Sequence, residues 1–237
     1  MRNRLRDLAM FFRWAKFHGQ IAENPCDRIR RPKVARSTPV IFTADEARRL
    51  LETAVANPDL QLLPMLAIGL FSGVRIAEIQ RMRWEMIDWE EGEIRLPGEI
   101  TKTGNPRNID IFDALRAWIG ANPPKEGKIV SSSKLYFRRK ELFRLAGVPR
   151  KSNALRHSFA SYHAAKLRNP GELQLLLGQE TPSVMFRHYI AATTKADATA
   201  FFDLRPSGQP SAEEQLLIQP EESQRPSPTV QHRNVAA

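Results

Sequence analysis

Four side chains scattered along the 237 residues are the parts that a metal-free attack on a phosphodiester requires: Tyr189, Arg75, Arg156 and Lys102. A phenol can be the nucleophile of such a transesterification. It titrates near pH ~10 when free, so neighbouring cations must favour the phenolate in the transition state. Arg75 and Arg156 present planar forks of donors that match non-bridging phosphate oxygens and stay charged, a geometry lysine lacks. Lys102, beside Thr103-Gly104, carries a flexible ammonium suited to protonating a departing oxygen. Glu78 follows Arg75 by three residues, close enough on a helix to orient or neutralise its guanidinium. Taken singly, Arg75 and Glu78 also read as a surface ion pair and Lys102 as a solvated turn lysine. The two arginines stand 81 positions apart, so only folding unites them.

The elements that would position these groups are legible from capping and periodicity. Thr43-Ala44-Asp45-Glu46 is a capping box, which predicts a helix running to about Ala54. A second helix follows Pro58-Asp59 and runs through Leu62, Leu66 and Leu70 to Gly73. A third begins near Val74, ends by Trp84 and carries both Arg75 and Glu78. Residues 86–111 change character: Ile87-Asp88-Trp89, a Glu90-Glu91-Gly92 turn, Ile94-Arg95-Leu96, Thr101 to Gly104 and Arg107 to Ile111 alternate like short antiparallel strands, with Lys102 at a hairpin tip. Helices are expected again at about 113–120, 133–146, 156–167, 171–177, 182–190 and 194–203. The class is mainly α with a small antiparallel β-sheet (α+β).

Lys and Arg total 36 against 26 Asp and Glu, a net charge of +10, and the excess lies in the residues before 206. Such a balance favours acidic polymers as partners. A basic run, Arg138, Arg139, Lys140, Arg150 and Lys151, leads into Arg156 and is expected to touch phosphates or a groove, with Tyr136 and Phe137 in the core. Residues 3–18 read as a helix that is apolar on more than one side, followed by a Pro-punctuated basic linker and a boundary near residue 40. From Pro206 onward the composition turns to Pro, Gln, Ser and Glu without an aromatic residue, which predicts a disordered tail. The single Cys26 allows no internal disulfide, and no His, Cys or carboxylate cluster has metal-ligand spacing. Neither a signal peptide nor a membrane span is expected, and the cytoplasm is the default location.

Four motifs occur in order: Ser72-Gly73-Val74-Arg75-Ile76-Ala77-Glu78, Thr101-Lys102-Thr103-Gly104, Asn153-Ala154-Leu155-Arg156-His157-Ser158-Phe159-Ala160, and Leu177-Gly178-Gln179 followed by Arg187-His188-Tyr189. Together they resemble the catalytic domain of the tyrosine recombinase (phage integrase) family. The resemblance implies that fold for residues 41–205, with residues 1–40 similar to the end of the family's core-binding domain plus a linker and 206–237 as the tail. It implies site-specific cleavage and rejoining of DNA strands through a 3′-phosphotyrosyl bond at Tyr189, without metal, nucleotide or other cofactor. Arg75, Lys102, Asn153, Arg156 and Gln179 are the implied catalytic companions, and Glu78 supports Arg75. The implied partners are double-stranded DNA and further copies of the chain, about four on two duplexes, in a nucleoid-associated setting. A directionality partner is not legible.

Two positions depart from the family pattern. Asn153 stands where a histidine is usual, and Gln179 replaces the histidine of Leu-Gly-His; both keep a hydrogen-bond donor and neither titrates near neutral pH. His157 and His188 adjoin site residues, but neighbours on a helix point about 100° apart, which argues against a shared site. Thr194 to Phe202 reads as a helix that packs either on the next protomer, as in the family, or on its own domain. The rival to an active recombinase is a truncated, catalytically impaired DNA-binding remnant. A type IB topoisomerase-like relaxing enzyme is a third reading that shares the chemistry.

Overall fold

Packing starts from a helix without a polar face. In the computed structural model, which describes residues 2–29, 39–178 and 193–208, helix α3 (Leu63–Phe71) is buried at every position from Met65 to Phe71. A helix apolar all round must be enclosed by others. Three surround it: α2 (Ala44–Ala56), α5 (Asp113–Ile119) and α7 (Ala154–Leu167). The predicted capping box starts α2, with Thr43 N donating to Glu46 Oε2 (2.9 Å) and Glu46 N to Thr43 Oγ1 (3.1 Å). Glycine lets α7 come close. A Cβ at position 69 would lie 2.8 Å from Leu155 Cδ1, and one at position 73 would lie 2.4 Å from Phe159 Cδ1.

The predicted third helix is shorter than its sequence suggests. Only α4 (Ile76–Ile79) forms: it starts late because Gly73 turns the chain with a φ of +65° and Arg75 stays extended (φ −69°, ψ 141°), and beyond it Met82 to Trp84 pair instead with residues 127–129, Trp84 N donating to Gly127 O (2.9 Å) and Ile129 N to Met82 O (3.2 Å). Arg75 therefore precedes the helix that Glu78 belongs to. Strands β1 (Ile87–Asp88), β2 (Glu93–Leu96) and β3 (Arg107–Asp110) form one antiparallel sheet in the order β1-β2-β3, pairing Ile94 with Ile109 and Leu96 with Arg107. Thr101 to Gly104 is not a strand. It lies in the β2–β3 connection, where Pro97 and Pro106 lack ladder donors and Thr101 turns back to donate through N (3.1 Å) and Oγ1 (3.0 Å) to Gly98 O.

Helices α6 (Leu135–Leu145), α8 (Pro170–Leu177) and α9 (Lys195–Phe202) complete the described fold. The helix expected at 182–190 and nearly all of the expected tail lie outside the described residues. Tyr136 and Phe137 are not core residues but 58% and 67% exposed, since α6 turns Leu135, Leu142 and Phe143 inward and these two positions fall on another face. Helix α9 packs on its own domain. Phe201 stacks on Tyr162 at 4.1 Å between ring centroids, Phe202 on Phe112 at 4.8 Å, and Trp118 Nε1 donates to Leu204 O at 3.0 Å.

This core belongs to the larger of two compact units, Met1–Ser37 and Thr38–Ala237. The smaller holds α1 (Arg2–Phe17) and a short 3-10 turn, Pro25–Arg28, which Asn24 caps by accepting from Cys26 N at 2.9 Å while donating to Ala9 O at 3.2 Å. It buries Ala9 and Ala15 and leaves Phe11, Trp14 and Phe17 exposed, the aromatic surplus the sequence indicates.

Gly73→Ala combines left-handed backbone strain with a clash against Phe159, together about 3 kcal/mol. Thermal unfolding of this variant should show a midpoint lower by about 6–12 °C; an unchanged midpoint would contradict the close α3–α7 approach.

Candidate active site

Arg75 and α4, the β2–β3 loop, α6, the α6–α7 connection and the start of α7 line an open cleft of about 790 Å³. Its walls carry Arg75, Lys102, Arg139, Arg150, Lys151, Asn153 and Arg156, with no aspartate or glutamate among the described lining residues. Folding thus brings together both arginines, the lysine and Asn153. Gln179 and Tyr189 lie outside the described residues. Arg138 and Lys140 do not line the cleft: Arg138 donates to Leu60 O at 2.9 Å and to Ser131 O, tying α6 to its surroundings, and Lys140 is exposed on the helix surface.

A buried carboxylate underlies this arrangement. Glu78 has no exposed side-chain surface. Its Oε1 accepts from Arg75 Nη1 (2.9 Å) and Lys102 N (3.2 Å), and its Oε2 accepts from Arg107 Nη2 (2.6 Å) and Arg75 N (3.1 Å). Burial alone would raise its pKa from the ordinary 4.5. The hydrogen bond and charge of Arg107, then the bonds from Arg75, overcome this and hold it at about 2. Glu78 therefore does more than face Arg75: it also pins the backbone of Lys102.

Arg107, which belongs to none of the four motifs, is the other cation on this carboxylate. It is buried in β3, opposite Leu96, and Nε donates to Leu176 O at the end of α8 (3.1 Å). Its Nη1 is buried without a hydrogen-bond partner among the described residues, and a Cβ at Gly178 would come within 3.2 Å of it. The signal was in the sequence: Arg107 falls in phase with Ile109 and Ile111, on the inward side of an alternating strand.

Arg156 anchors the facing wall, with Nη1 donating to Gly73 O (2.9 Å) and Nη2 to Leu177 O (2.5 Å). Asn153 precedes α7 in the left-handed region (φ 54°), which asparagine tolerates well, and its side chain makes no cap bond. His157 N donates to Asn153 O at 3.0 Å, one turn along, and His157 lines the same cleft. Adjacency to Arg156 was thus the wrong guide; the relation that counts is to residue 153. Burial, and then the charge of Arg156, lowers the His157 pKa from its ordinary value. Arg139 is pressed below the usual guanidinium pKa by burial and then by Arg150, and its Nε is buried without a hydrogen-bond partner among the described residues. An anion entering here would relieve both costs. At the rim the Arg150 guanidinium lies 4.9 Å from the Tyr136 ring centroid. A second cleft, of about 880 Å³, has a mixed lining in which Glu85, Glu90 and Asp113 stand with Arg116, Lys125 and Arg205 beside Trp84 and Trp89.

Among the described residues no group of three or more His, Cys, Asp or Glu is placed to hold a metal, and no helix is long and apolar enough to cross a membrane. The cleft offers donors and cations, which bind phosphate oxygens directly.

Because Glu78 titrates at about 2 when folded against 4.5 ordinarily, its ion pairs contribute stability above pH ~4.5 that is lost as pH falls toward ~2, about 3 kcal/mol in all. Glu78→Gln should flatten that part of the stability profile, measured by denaturant unfolding between pH 2.5 and 6; an unaltered acid limb would contradict the shared ion pair.

The phage integrase family model matches residues 41–196. The tyrosine recombinase XerC of Xanthomonas campestris pv. campestris is 30% identical over 194 residues, covering 75% of this chain and 59% of its own length. XerC of Xylella fastidiosa is 29% identical over 197 residues, covering 75% and 65%. The chain spans less than two thirds of these curated relatives. Among solved structures, a lambda integrase dimer bound to a COC′ core site overlays with a TM-score of 0.59 at 20% identity, over 79% of this chain and 71% of that one. The Tn1549 transposon integrase in complex with circular intermediate DNA overlays at 0.58 and 19% identity, over 84% and 76%. These overlays establish the fold, mainly helical with a small antiparallel sheet. The family match covers most of the domain that holds the cleft, and the chain belongs to the phage integrase family of tyrosine recombinases.

Proposed function

We propose that the chain is a site-specific DNA recombinase whose residues 41–205 cleave and rejoin strands, residues 1–40 being the end of a core-binding domain and 206–237 a tail. The observation that carries the reading is the convergence of Arg75, Lys102, Asn153 and Arg156, from three separate stretches of sequence, on one cationic cleft with no carboxylate among its described lining residues. Support also comes from relatives: the two overlaid integrases are bound to DNA, and a further similar structure is a lambda integrase tetramer bound to a Holliday junction. The proposed partners are accordingly duplex DNA and further copies of the chain, and the proposed location is the nucleoid in the cytoplasm.

In this reading the scissile phosphate sits between Arg75 and Arg156, whose guanidinium donors stabilise charge as it builds on the non-bridging oxygens. The Tyr189 oxygen attacks phosphorus as its proton passes to solvent water. The bond to the 5′ oxygen breaks, Lys102 protonates that oxygen, and the 3′ phosphate remains esterified to tyrosine. Attack by another strand's 5′ hydroxyl reverses these steps, so no outside energy source is consumed. Asn153 and Gln179 supply neutral donors to phosphate oxygens in place of imidazoles. Arg139, Arg150 and Lys151 extend the cationic surface along the backbone, with Arg138 and Lys140 further out on α6.

Nicked suicide duplexes, including the sequences that flank the gene, should trap a covalent DNA adduct on the wild-type chain and none on Tyr189→Phe. Lys102→Ala should slow adduct formation by about 10²–10⁴-fold with little change in binding. Salt-sensitive binding with no adduct from either protein would leave the DNA-binding remnant as the function.

A further inference from the structure

From the ion-pair geometry beneath the cleft we infer that Arg107 is a positioning residue for strand cleavage: it fixes Arg75 and the Lys102 loop through Glu78 while holding the end of α8 in register with them. The inference rests on the proposal that Arg75 and Lys102 work on a phosphodiester. Arg107 does not line the cleft, so it has no direct route to the phosphate in this arrangement. It touches instead what the cleft residues stand on. One branch of its guanidinium pairs with Glu78 Oε2 at 2.6 Å, and the carboxylate's other oxygen holds Arg75 Nη1 and Lys102 N. Nε reaches Leu176 O at 3.1 Å, one carbonyl before the one that Arg156 takes at Leu177. Both family-motif arginines are thereby linked to Arg107 through one intermediary each: Glu78 for Arg75, the final turn of α8 for Arg156.

The planar fork matters here. Two donors on different nitrogens must point at a carboxylate and a carbonyl at once, which an ammonium on a single stem does poorly. The place in the strand explains why the residue is so enclosed: β3 alternates buried Arg107, exposed Asn108, buried Ile109 and exposed Asp110. Without Arg107, Glu78 would keep Arg75 but lose its shortest contact, and the loop amide of Lys102 would hang on a carboxylate free to turn.

The test uses the full chain with Arg107→Gln and the charge-keeping Arg107→Lys. Hydrogen exchange of residues 97–106 in the DNA-free protein should quicken by about tenfold in Arg107→Gln and less in Arg107→Lys, while residues 63–71 and 154–167 keep their protection. At saturating duplex, single-turnover adduct formation should fall by at least about tenfold in Arg107→Gln while Kd for DNA stays within about twofold. Equal loss of protection in loop and core, unfolding of both variants, or an undisturbed loop would overturn the inference, as would a rate loss that tracks Kd. The exchange measurement needs no cleavage, so a wild-type chain that forms no adduct would count against the recombinase proposal alone.

Discussion

A single carboxylate enclosed between two guanidinium groups sets the geometry of this domain. Burying Glu78 as an ion would be costly if it stood alone; shared between Arg75 and Arg107, with two backbone N–H groups completing its shell, it is held ionised far below its usual range. Its partners come from the entry to α4, the β2–β3 loop and β3 itself. Satisfying one charge therefore aligns three pieces of chain that local propensity would leave independent. Any arrangement that misplaced one of them would leave a buried charge short of a partner, and that penalty is what makes the cleft specific.

The second constraint is close packing of α7 on α3. Gly69 and Gly73 remove the Cβ atoms that would keep the helices apart, and Arg156 then reaches the Gly73 carbonyl from one side and the end of α8 from the other. The result is a wall of cations whose partner acids Glu78 and Glu46 are not among the described residues that line the cleft. Such a surface attracts a polyanion and presents it with donors already oriented, so little reorganisation is needed when charge develops.

Much of this was readable from residue types and order. The capping box at Thr43, the hairpin around Lys102 and the helix behind Arg156 all follow local rules, and the four motifs together identified the fold. What escaped was governed by contacts distant in sequence. Arg107 looked like one polar position in an alternating strand, because nothing local shows that its carboxylate partner is Glu78. Helix α4 is brief because that same carboxylate and a glycine turn fix its start, while residues 82–84 pair with the distant segment 127–129 beyond its end. Tyr136 and Phe137, expected in the core, are exposed because the inward face of α6 is filled by Leu135, Leu142 and Phe143. Adjacency to Arg156 argues against a place for His157 in the site, whereas its spacing of one turn from Asn153 brings it to the cleft.

The most direct trial of the central claim is a structure of the chain bound to a duplex it recognises. One backbone phosphate should lie within about 3 Å of donors from both Arg75 and Arg156, with the Lys102 ammonium at its 5′ oxygen and the Tyr189 hydroxyl in line behind the phosphorus. A duplex seated elsewhere on the surface, leaving the cleft beside Glu78 without a phosphate, would contradict it.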